Sequence, residues 1–569
     1  MTSSPQALTA PASTPVPKRP PGRKMVGWFD PLTLARTGMR AAISATIGKQ
    51  ADRRLLDALA APTVEPSDFS VDEAGRPRQE FWLDYVSDLG DGWDPTYAVA
   101  HTVARPTLTL RDETGTTHET RGGELLVFGG DAVYPAASTR EYEARTVQPW
   151  ASAIRGQRAA PHLFAVPGNH DWFDGLVSFM RLFCQGRSPA GWHTHQRRSY
   201  FAVKLPHGWW LIGTDMQLES DIDEPQVRYF QEVAKLMRPE DRIILCHAEP
   251  AWLSAQVPRP GDRSYLENNL DFLQEQVLGK KVSVFLAGDL HHYRRHANEQ
   301  GQQKIIAGGG GAFLHPTHVP RKEVPLAEGF TARKCYPSAK ESRRLTWGNL
   351  AFLKHNPRFG VLTGVLYLLL AWALSTNITT ASVGTALSLV VGTALASPGT
   401  VLIALLAILG LVALADSRLG WWRWVMGALH GLAHLTAVFF LAWGVSHLLG
   451  AVLDMPFRSL QRGLLSAGFL FLGGFVVGPT VMGVYLLLSL NAFGVHGNEA
   501  FSALAIPDWK NFLRMKIDRA GKLWIYPIGI QRVPRAWKPG STVREPEWVP
   551  DPKDKRATPP TLIEPPIVV

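Results

Sequence analysis

After residue 357 the chain sheds almost all of its charge, and no other feature constrains its fold as strongly. Phe359 to Leu374 is almost wholly apolar, residues 382–415 form a long apolar stretch broken at Ser397-Pro398-Gly399, and residues 425–453 and 463–493 are two more, the last broken near Gly478-Pro479. About 20 apolar residues cross a bilayer core. These lengths predict an all-α transmembrane region, and a buried helical domain is a poor fit to stretches so nearly free of charge. Arg333, Lys334, Lys340, Arg343, Arg344, Lys354 and Arg358 crowd the entrance to the first stretch against one acid, Glu341. Basic residues favour the cytoplasmic side. The segment after residue 493 is basic too (Lys510, Arg514, Lys516, Arg519, Lys522), which puts both flanks on one side and requires an even number of crossings. About four crossings are expected, with 382–415 crossing once as a kinked or partly re-entrant segment; six is the alternative if the Pro breaks split two stretches into hairpins.

Upstream, the chain alternates strand-like and helical runs, which predicts a layered α/β domain. Strands are expected at 124–129, 162–166, 200–205, 209–214, 242–246, 282–287 and 303–307, and helices at 95–104, 139–155, 174–184, 225–237 and 266–277. Five runs end in residues with metal chemistry: Val86-Ser-Asp88-Leu-Gly90, Leu125 to Tyr134 with Gly130-Asp131-Ala-Val-Tyr134, His162 to Asp171 ending in Gly168-Asn169-His170-Asp171, Ile243 to His247, and Val284 to His291 with Gly-Asp289-Leu-His291. Sites at the carboxyl ends of strands are the rule for α/β sheets. An Asn amide oxygen can ligate a hard cation, and the imidazole after it can give a proton or stabilise charge beside that cation. One such tetrapeptide is a weak signal; five such loops, each after a strand-like run, are a strong one. Bland readings remain for each residue: Asp88 as a turn acid, Tyr134 as a core tyrosine, His247 as a packed loop residue. Gly308-Gly-Gly-Gly311 lacks the Gly-Lys-(Ser/Thr) ending of a P-loop and reads as a tight turn that lets backbone approach the centre.

Together these motifs resemble the calcineurin-like metallophosphoesterases over residues 80–318. The family pattern is Asp-x-His, Gly-Asp, Gly-Asn-His-(Asp/Glu), a lone His and Gly-His-x-His. Here Gly90 stands where the first His is usual, and Asp289 stands for the first His of the last motif. Asp-x-Gly with Gly-Asp-x-x-Tyr is similar to the purple acid phosphatase variant, in which the Tyr replaces the missing His. The resemblance implies a β-sandwich flanked by helices and two divalent ions. Mn²⁺ is expected first because Asp289 is a harder donor than imidazole, with Fe, Zn²⁺ or Mg²⁺ as alternatives. It implies Asp131 as the bridging carboxylate, Asp88, Tyr134 and His291 on one ion, and Asn169, His247 and Asp289 on the other. His170 would stand beside the scissile bond, its ring oriented by Asp171. Two such ions about 3.5–4 Å apart hold a hydroxide between them and clamp a phosphate oxygen. The expected function is therefore a membrane-anchored phosphoesterase at the cytoplasmic face of the plasma membrane. Its substrate is expected to be a phosphate ester, lipid phosphates among the candidates. The alternative is a membrane receptor or transporter with a regulatory phosphoesterase-like domain. No nucleic-acid partner is expected, and the oligomeric state is left open.

The remaining segments complete the expected organisation. Residues 1–27 read as a disordered tail without a secretory signal, 28–78 as a helical segment, 79–320 as the catalytic domain, 321–357 as a basic linker, 358–494 as the transmembrane domain, 495–540 as a cytoplasmic segment folding back on the catalytic domain, and 541–569 as a second disordered tail. Three cysteines, Cys184, Cys246 and Cys335, form no paired framework and suit a reducing compartment. His430, His434 and His447 fall inside an apolar stretch, the first two one turn apart, where ionisable residues are functional candidates and equally fit imidazoles hydrogen-bonding between helices.

Overall fold

The computed structural model describes residues 22–47, 66–155, 161–216, 221–254, 268–319, 326–374, 382–396, 398–415, 420–542 and 545–569. Two mixed sheets form the centre. The first runs in the order Ser67–Asp68, Phe201–Lys204, Trp209–Gly213, Arg242–His247, Val282–Ala287, Gln303–Ala307, Tyr293–Ala297, Thr331–Tyr336. The second runs Thr561–Leu562, Leu523–Ile530, Lys510–Ile517, Phe81–Val86, Leu125–Gly129, His162–Val166, His193–Thr194, with Ile567–Val568 also paired to Leu523–Ile530.

Strand alternation explains why the sheets stack. Phe81, Leu83 and Tyr85 face inward and meet Val203, Leu211, Ile244, Leu286 and Ile305 of the other sheet in one buried core. Their neighbours Trp82 and Val86 face outward, into a core shared with the helices Trp93–Ala104, Gln148–Ile154 and Val177–Phe183. On the far side Trp210, Ile212, Ile243 and Leu245 pack against Val227, Phe230 and Val233 of the helix Glu224–Lys235. The domain is therefore layered helix–sheet–sheet–helix.

Four parts of the sequence reading are corrected. The C-terminal residues do not form a tail: Leu562 pairs with Ile528 and Ile567 with Ile525, because these apolar positions fall on the sheet's edge register. The run Leu523–Ile530, expected as a strand pair, is a single strand. It pairs with Lys510–Ile517, which in turn lies antiparallel to Phe81–Val86. The basic linker carries the edge strand Thr331–Tyr336 and the helix Ala339–Leu345, which Ser338 and Glu341 cap reciprocally. Residues 22–27 of the expected N-terminal tail are also ordered, held by Arg23 O accepting from Trp93 N (2.9 Å) and by Val26 N donating to Asp91 Oδ1 (2.7 Å). Residues 1–21 lie outside the described residues.

Two helices, Trp422–Val452 and Leu460–Phe493, are long and apolar enough to cross a membrane, and Pro357–Trp372, Val383–Gly392 and Val401–Leu414 are shorter apolar helices. The stretch 382–415 is two helices, Val383–Ala396 and Pro398–Leu414. His430 and His434 place their Nε2 atoms 3.2 Å apart, and Tyr367 reaches His434 Nδ1 at 2.8 Å, so these imidazoles join neighbouring helices. The bases of the apolar helices share a core with the two-sheet domain: Phe352, Phe359, Met482 and Leu486 cluster with Phe29, Phe313 and Leu314.

Candidate functional site

The site is built where strands end. Asp88, Asp131 and Asp289 each follow a central strand and each adopts a left-handed backbone, with φ of 58°, 47° and 64°. Such strain in non-glycine residues persists only where the surroundings over-determine it, and it clusters at functional sites. Gly90 has a structural cause. A Cβ there would lie 2.3 Å from Ala132 O, so no His could occupy the position.

Tyr134 fills the space instead. Its hydroxyl lies 3.1 Å from Asp88 Oδ1, 3.2 Å from Asp131 Oδ2 and 3.0 Å from His291 Nε2, and His291 Nε2 is 3.5 Å from Asp88 Oδ1. His291 Nδ1 donates to the Phe313 carbonyl at 2.7 Å, which fixes the tautomer and leaves Nε2 a lone pair facing the tyrosine. His315 stacks on His291 with ring centroids 3.8 Å apart. Asp88, Asp131 and His291 thus converge on the hydroxyl of Tyr134.

The other expected ligands surround it less closely. His247 Nδ1 lies 2.7 Å from Thr214 Oγ1, while its Nε2 is buried with no hydrogen-bond partner. Asp289 donates its backbone N–H to both oxygens of Asp88, at 3.1 and 3.0 Å. Asn169 is exposed, and its side chain makes no hydrogen bond among the described residues. Among the described residues no three or more His, Cys, Asp or Glu side chains close on a single point as an ion site would.

The residues fit divalent cations on three observations. Three carboxylates crowd together. Two imidazoles, His247 and His291, hold Nδ1 engaged and turn Nε2 elsewhere, that of His291 meeting the Tyr134 hydroxyl. His247 Nε2 is a buried nitrogen without a hydrogen-bond partner. Electrostatics agree. Burial, with Asp131 and Asp289 beside it, pushes Asp88 well above the usual carboxylate range. Burial raises Asp131 to about 7, and burial with Glu249 and Asp131 nearby raises Asp289 to about 7. Burial, then His315, drives His291 far below the ordinary imidazole value, and burial takes His247 to about 3.

The loop Gly168-Asn169-His170-Asp171 differs from the expected pairing. His170 Nδ1 donates to Pro135 O at 2.7 Å, so a carbonyl and not Asp171 orients the ring. Asp171 is drawn into the loop junction by stronger claims: it accepts from Gly168 N (2.8 Å), Ala132 N (3.2 Å) and Tyr142 Oη (2.5 Å). It braces the second and third loops against each other. His170 N donates to Asp131 Oδ1 at 2.8 Å, which aims that carboxylate. The glycine run is packed as a turn should be: Gly310 N donates to Ser87 O, and a Cβ on Gly308 would meet Leu290 O at 2.4 Å and Asp88 Oδ2 at 2.7 Å.

Sequence reasoning missed several neighbours. Glu249 adds negative charge beside Asp131 and Asp289, and its place two residues after His247 was a usable signal. Lys510, from beyond the apolar region, is buried against Ala312 O. Trp28 lies over the site, its ring 5.8 Å from His170, 6.5 Å from Tyr134 and 6.0 Å from Phe313. Its Nε1 is buried without a hydrogen-bond partner. No local pattern announces Trp28 or Lys510, because both arrive through long-range packing.

No protein-family profile matches the chain, and no curated protein matches it. Among solved structures it is similar to GAP50, the anchor in the inner membrane complex of Plasmodium, at 14% identity and a TM-score of 0.30, over 44% of this chain and 76% of that one. It is also similar to a purple acid phosphatase from yellow lupin seeds, at 11% identity and a TM-score of 0.30, over 45% of this chain and 47% of the lupin enzyme. A dimetal phosphatase from Danio rerio matches at 13% identity and a TM-score of 0.23, over 40% of this chain and 86% of that one.

Proposed function

We propose that the chain is a membrane-anchored, dinuclear-metal phosphoesterase. The observation that carries this reading is the convergence of Asp88, Asp131 and His291 on the Tyr134 hydroxyl at the carboxyl ends of the central strands. Asp131 would bridge two divalent ions, Asp88, Tyr134 and His291 would hold one, and Asn169, His247 and Asp289 the other. When bound, such ions supply Lewis acidity toward a phosphoryl oxygen and an activated water at neutral pH. The chain's own groups do the rest. His170 keeps Nδ1 on Pro135 O, so Nε2 is the ring atom left to bond a substrate oxygen or carry its proton. Asp171 and the His170 amide hold the loop and the Asp131 carboxylate in place. Trp28 and Phe313 wall one side of the site.

The membrane part of the reading has its own support. Lys510–Ile517 pairs with Phe81–Val86, so the chain before and after the apolar helices belongs to one sheet. Both flanks then lie on the same side of any membrane, and the number of crossings is even. Four is the arrangement that counts 382–415 once. The basic flank favours the cytoplasmic side, and a lipid phosphate is the substrate class that would give several spans a purpose beyond anchoring. Detergent-purified full-length protein loaded with Mn²⁺ should hydrolyse bis-nitrophenyl or nitrophenyl phosphate, and phosphatidic acid in mixed micelles faster than a soluble monoester. Hydrolysis of soluble esters alone would remove the lipid substrate; no hydrolysis of any ester with both ions bound would favour a regulatory domain.

A further inference from the structure

A second concavity lies away from the metal-type residues, where the chain passes from the catalytic domain to the apolar helices. Its volume is about 730 Å³, within the roughly 300–1,000 Å³ range of ligand pockets, and Arg344, Arg532, Arg535 and Arg556 line it with only Glu341 and Asp508 as acids. The acids are engaged elsewhere. Asp508 accepts from Val533 N at 3.0 Å and from Arg535 at 3.3 Å, and Glu341 is held by Ser338 in the helix cap. Arg344, Arg532 and Arg556 make no side-chain hydrogen bond or ion pair among the described residues. A smaller cavity of about 400 Å³ shares Arg344 and adds Lys340, Arg343 and Trp347.

Two parts of the chain on opposite sides of the apolar region, residues 339–348 and 508–556, have thus been folded into one cationic concavity. Arg344, Arg532 and Arg556 are exposed and without side-chain partners among the described residues, so their guanidiniums stand open to an anionic ligand in this concavity. Guanidinium groups recognise phosphate oxygens in a bidentate fork. The setting identifies the phosphate's source. Trp347 is 62% and Leu350 55% exposed in the short helix Thr346–Ala351, which the helix Phe352–His355 joins to the apolar helix Pro357–Leu374, and exposed Trp near a membrane helix is the pattern of the bilayer interface.

We propose that this cavity is a binding site for the anionic head group of a membrane glycerophospholipid. Arg344, Arg532 and Arg556 receive its phosphate, and Trp347 and Leu350 rest against its acyl chains. The inference rests on the membrane part of the proposed function and is independent of its hydrolytic chemistry.

The test uses full-length protein in a neutral detergent with excess chelator, so that hydrolysis cannot contribute. Equilibrium binding is measured for dihexanoyl phosphatidylglycerol, dihexanoyl phosphatidylcholine and inorganic phosphate. Phosphatidylglycerol should bind at least tenfold tighter than phosphatidylcholine, and the triple variant Arg344→Gln, Arg532→Gln, Arg556→Gln should weaken it by about tenfold or more. Removing three exposed arginines outside the cavity, Arg76→Gln, Arg121→Gln and Arg228→Gln, should change nothing. Equal loss in that control, unchanged affinity in the triple variant, or inorganic phosphate binding as tightly as the lipid would each overturn the head-group site. If the triple variant fails to fold, Arg556→Gln alone should weaken binding about fivefold, and an unchanged affinity there overturns the site as well. Alkaline carbonate extraction of native membranes separates the two readings. Release into the wash removes the membrane part and the head-group site together, whereas retention without lipid binding removes the head-group site alone.

Discussion

Asp30 Oδ2 lies 2.6 Å from the guanidinium of Arg358, joining the segment that carries Trp28 to the first turn of the helix Pro357–Leu374. The same carboxylate caps the helix Pro31–Ile47, Oδ1 accepting from Leu32 N at 3.0 Å and Thr33 N at 3.3 Å. Phe29 packs against Phe352 and Phe359, at 5.0 and 5.8 Å. The cover of the metal-type site is therefore fastened to the base of the apolar region.

Truncating the cover should separate access from chemistry. Trp28→Ala should leave metal content intact and lower turnover about tenfold or more, since small misplacements at a site cost that much. Asp30→Asn keeps the cap and loses an ion pair whose Arg358 side is solvent-exposed, so it should lower the unfolding temperature little. Asp30→Ala should cost more, roughly 0.5–2 kcal/mol for the cap alone. Thermal unfolding and metal analysis of the three variants check this.

Asp91 supplies a pH signature. Burial raises its carboxyl from 3.8 to about 6, with the Val26 amide, Arg145 and Lys510 pulling the other way. Because the folded value is the higher one, its contribution to stability is fully present below pH 3.8 and is lost as pH rises through about 6. Asp91→Asn should flatten the unfolding-temperature profile across that window relative to wild type; an identical profile would remove Asp91 as its source.

His170 and Asn169 should behave oppositely. His170→Asn should lose roughly 10²–10⁴ in turnover while retaining metal, because its ring nitrogen is spent on Pro135 O and the other is kept for substrate. Asn169→Ala should instead weaken one ion. Metal loss in the His170 variant would make that residue a ligand.

The ion pair between Asp84 and Arg514 should be the costliest surface-remote site to break. Both side chains are buried, at 1% and 0% exposure, with Arg514 Nε donating at 2.7 Å and Nη2 at 3.2 Å, and Nη2 also donating to Val103 O at 2.9 Å. Leaving either partner alone costs about 3–5 kcal/mol. Arg514→Ala should therefore destabilise the two-sheet domain by that order, measured by chemical unfolding, and a fragment ending before residue 510 should not fold.

The strands and loops of residues 124–307 were legible because buried strands announce themselves as apolar runs and the ligand-type residues follow each run directly. The set Asp88, Asp131, Tyr134 and His291 was legible for the same reason, and the structure brings its donors together. What failed was long-range. Nothing local in Leu523–Ile530 says that it closes a sheet begun at Phe81, since pairing partners more than 400 residues apart leave no periodic trace. Polar-looking ends such as Thr561-Leu562 read as tails because two-residue edge strands are too short to set a pattern. Asp171 was misread because its sequence neighbour was His170, while in space its nearest donors come from Gly168, Ala132 and Tyr142.

Metal stoichiometry and hydrolysis, read together in full-length protein and in Asp131→Ala, test the central claim most directly. The account predicts about two divalent ions per chain after Mn²⁺ loading, hydrolysis of bis-nitrophenyl or nitrophenyl phosphate that a chelator abolishes and Mn²⁺ restores, and loss of both ions and turnover in Asp131→Ala. Full activity in excess chelator, or an Asp131→Ala protein that keeps its ions and its rate, would contradict it.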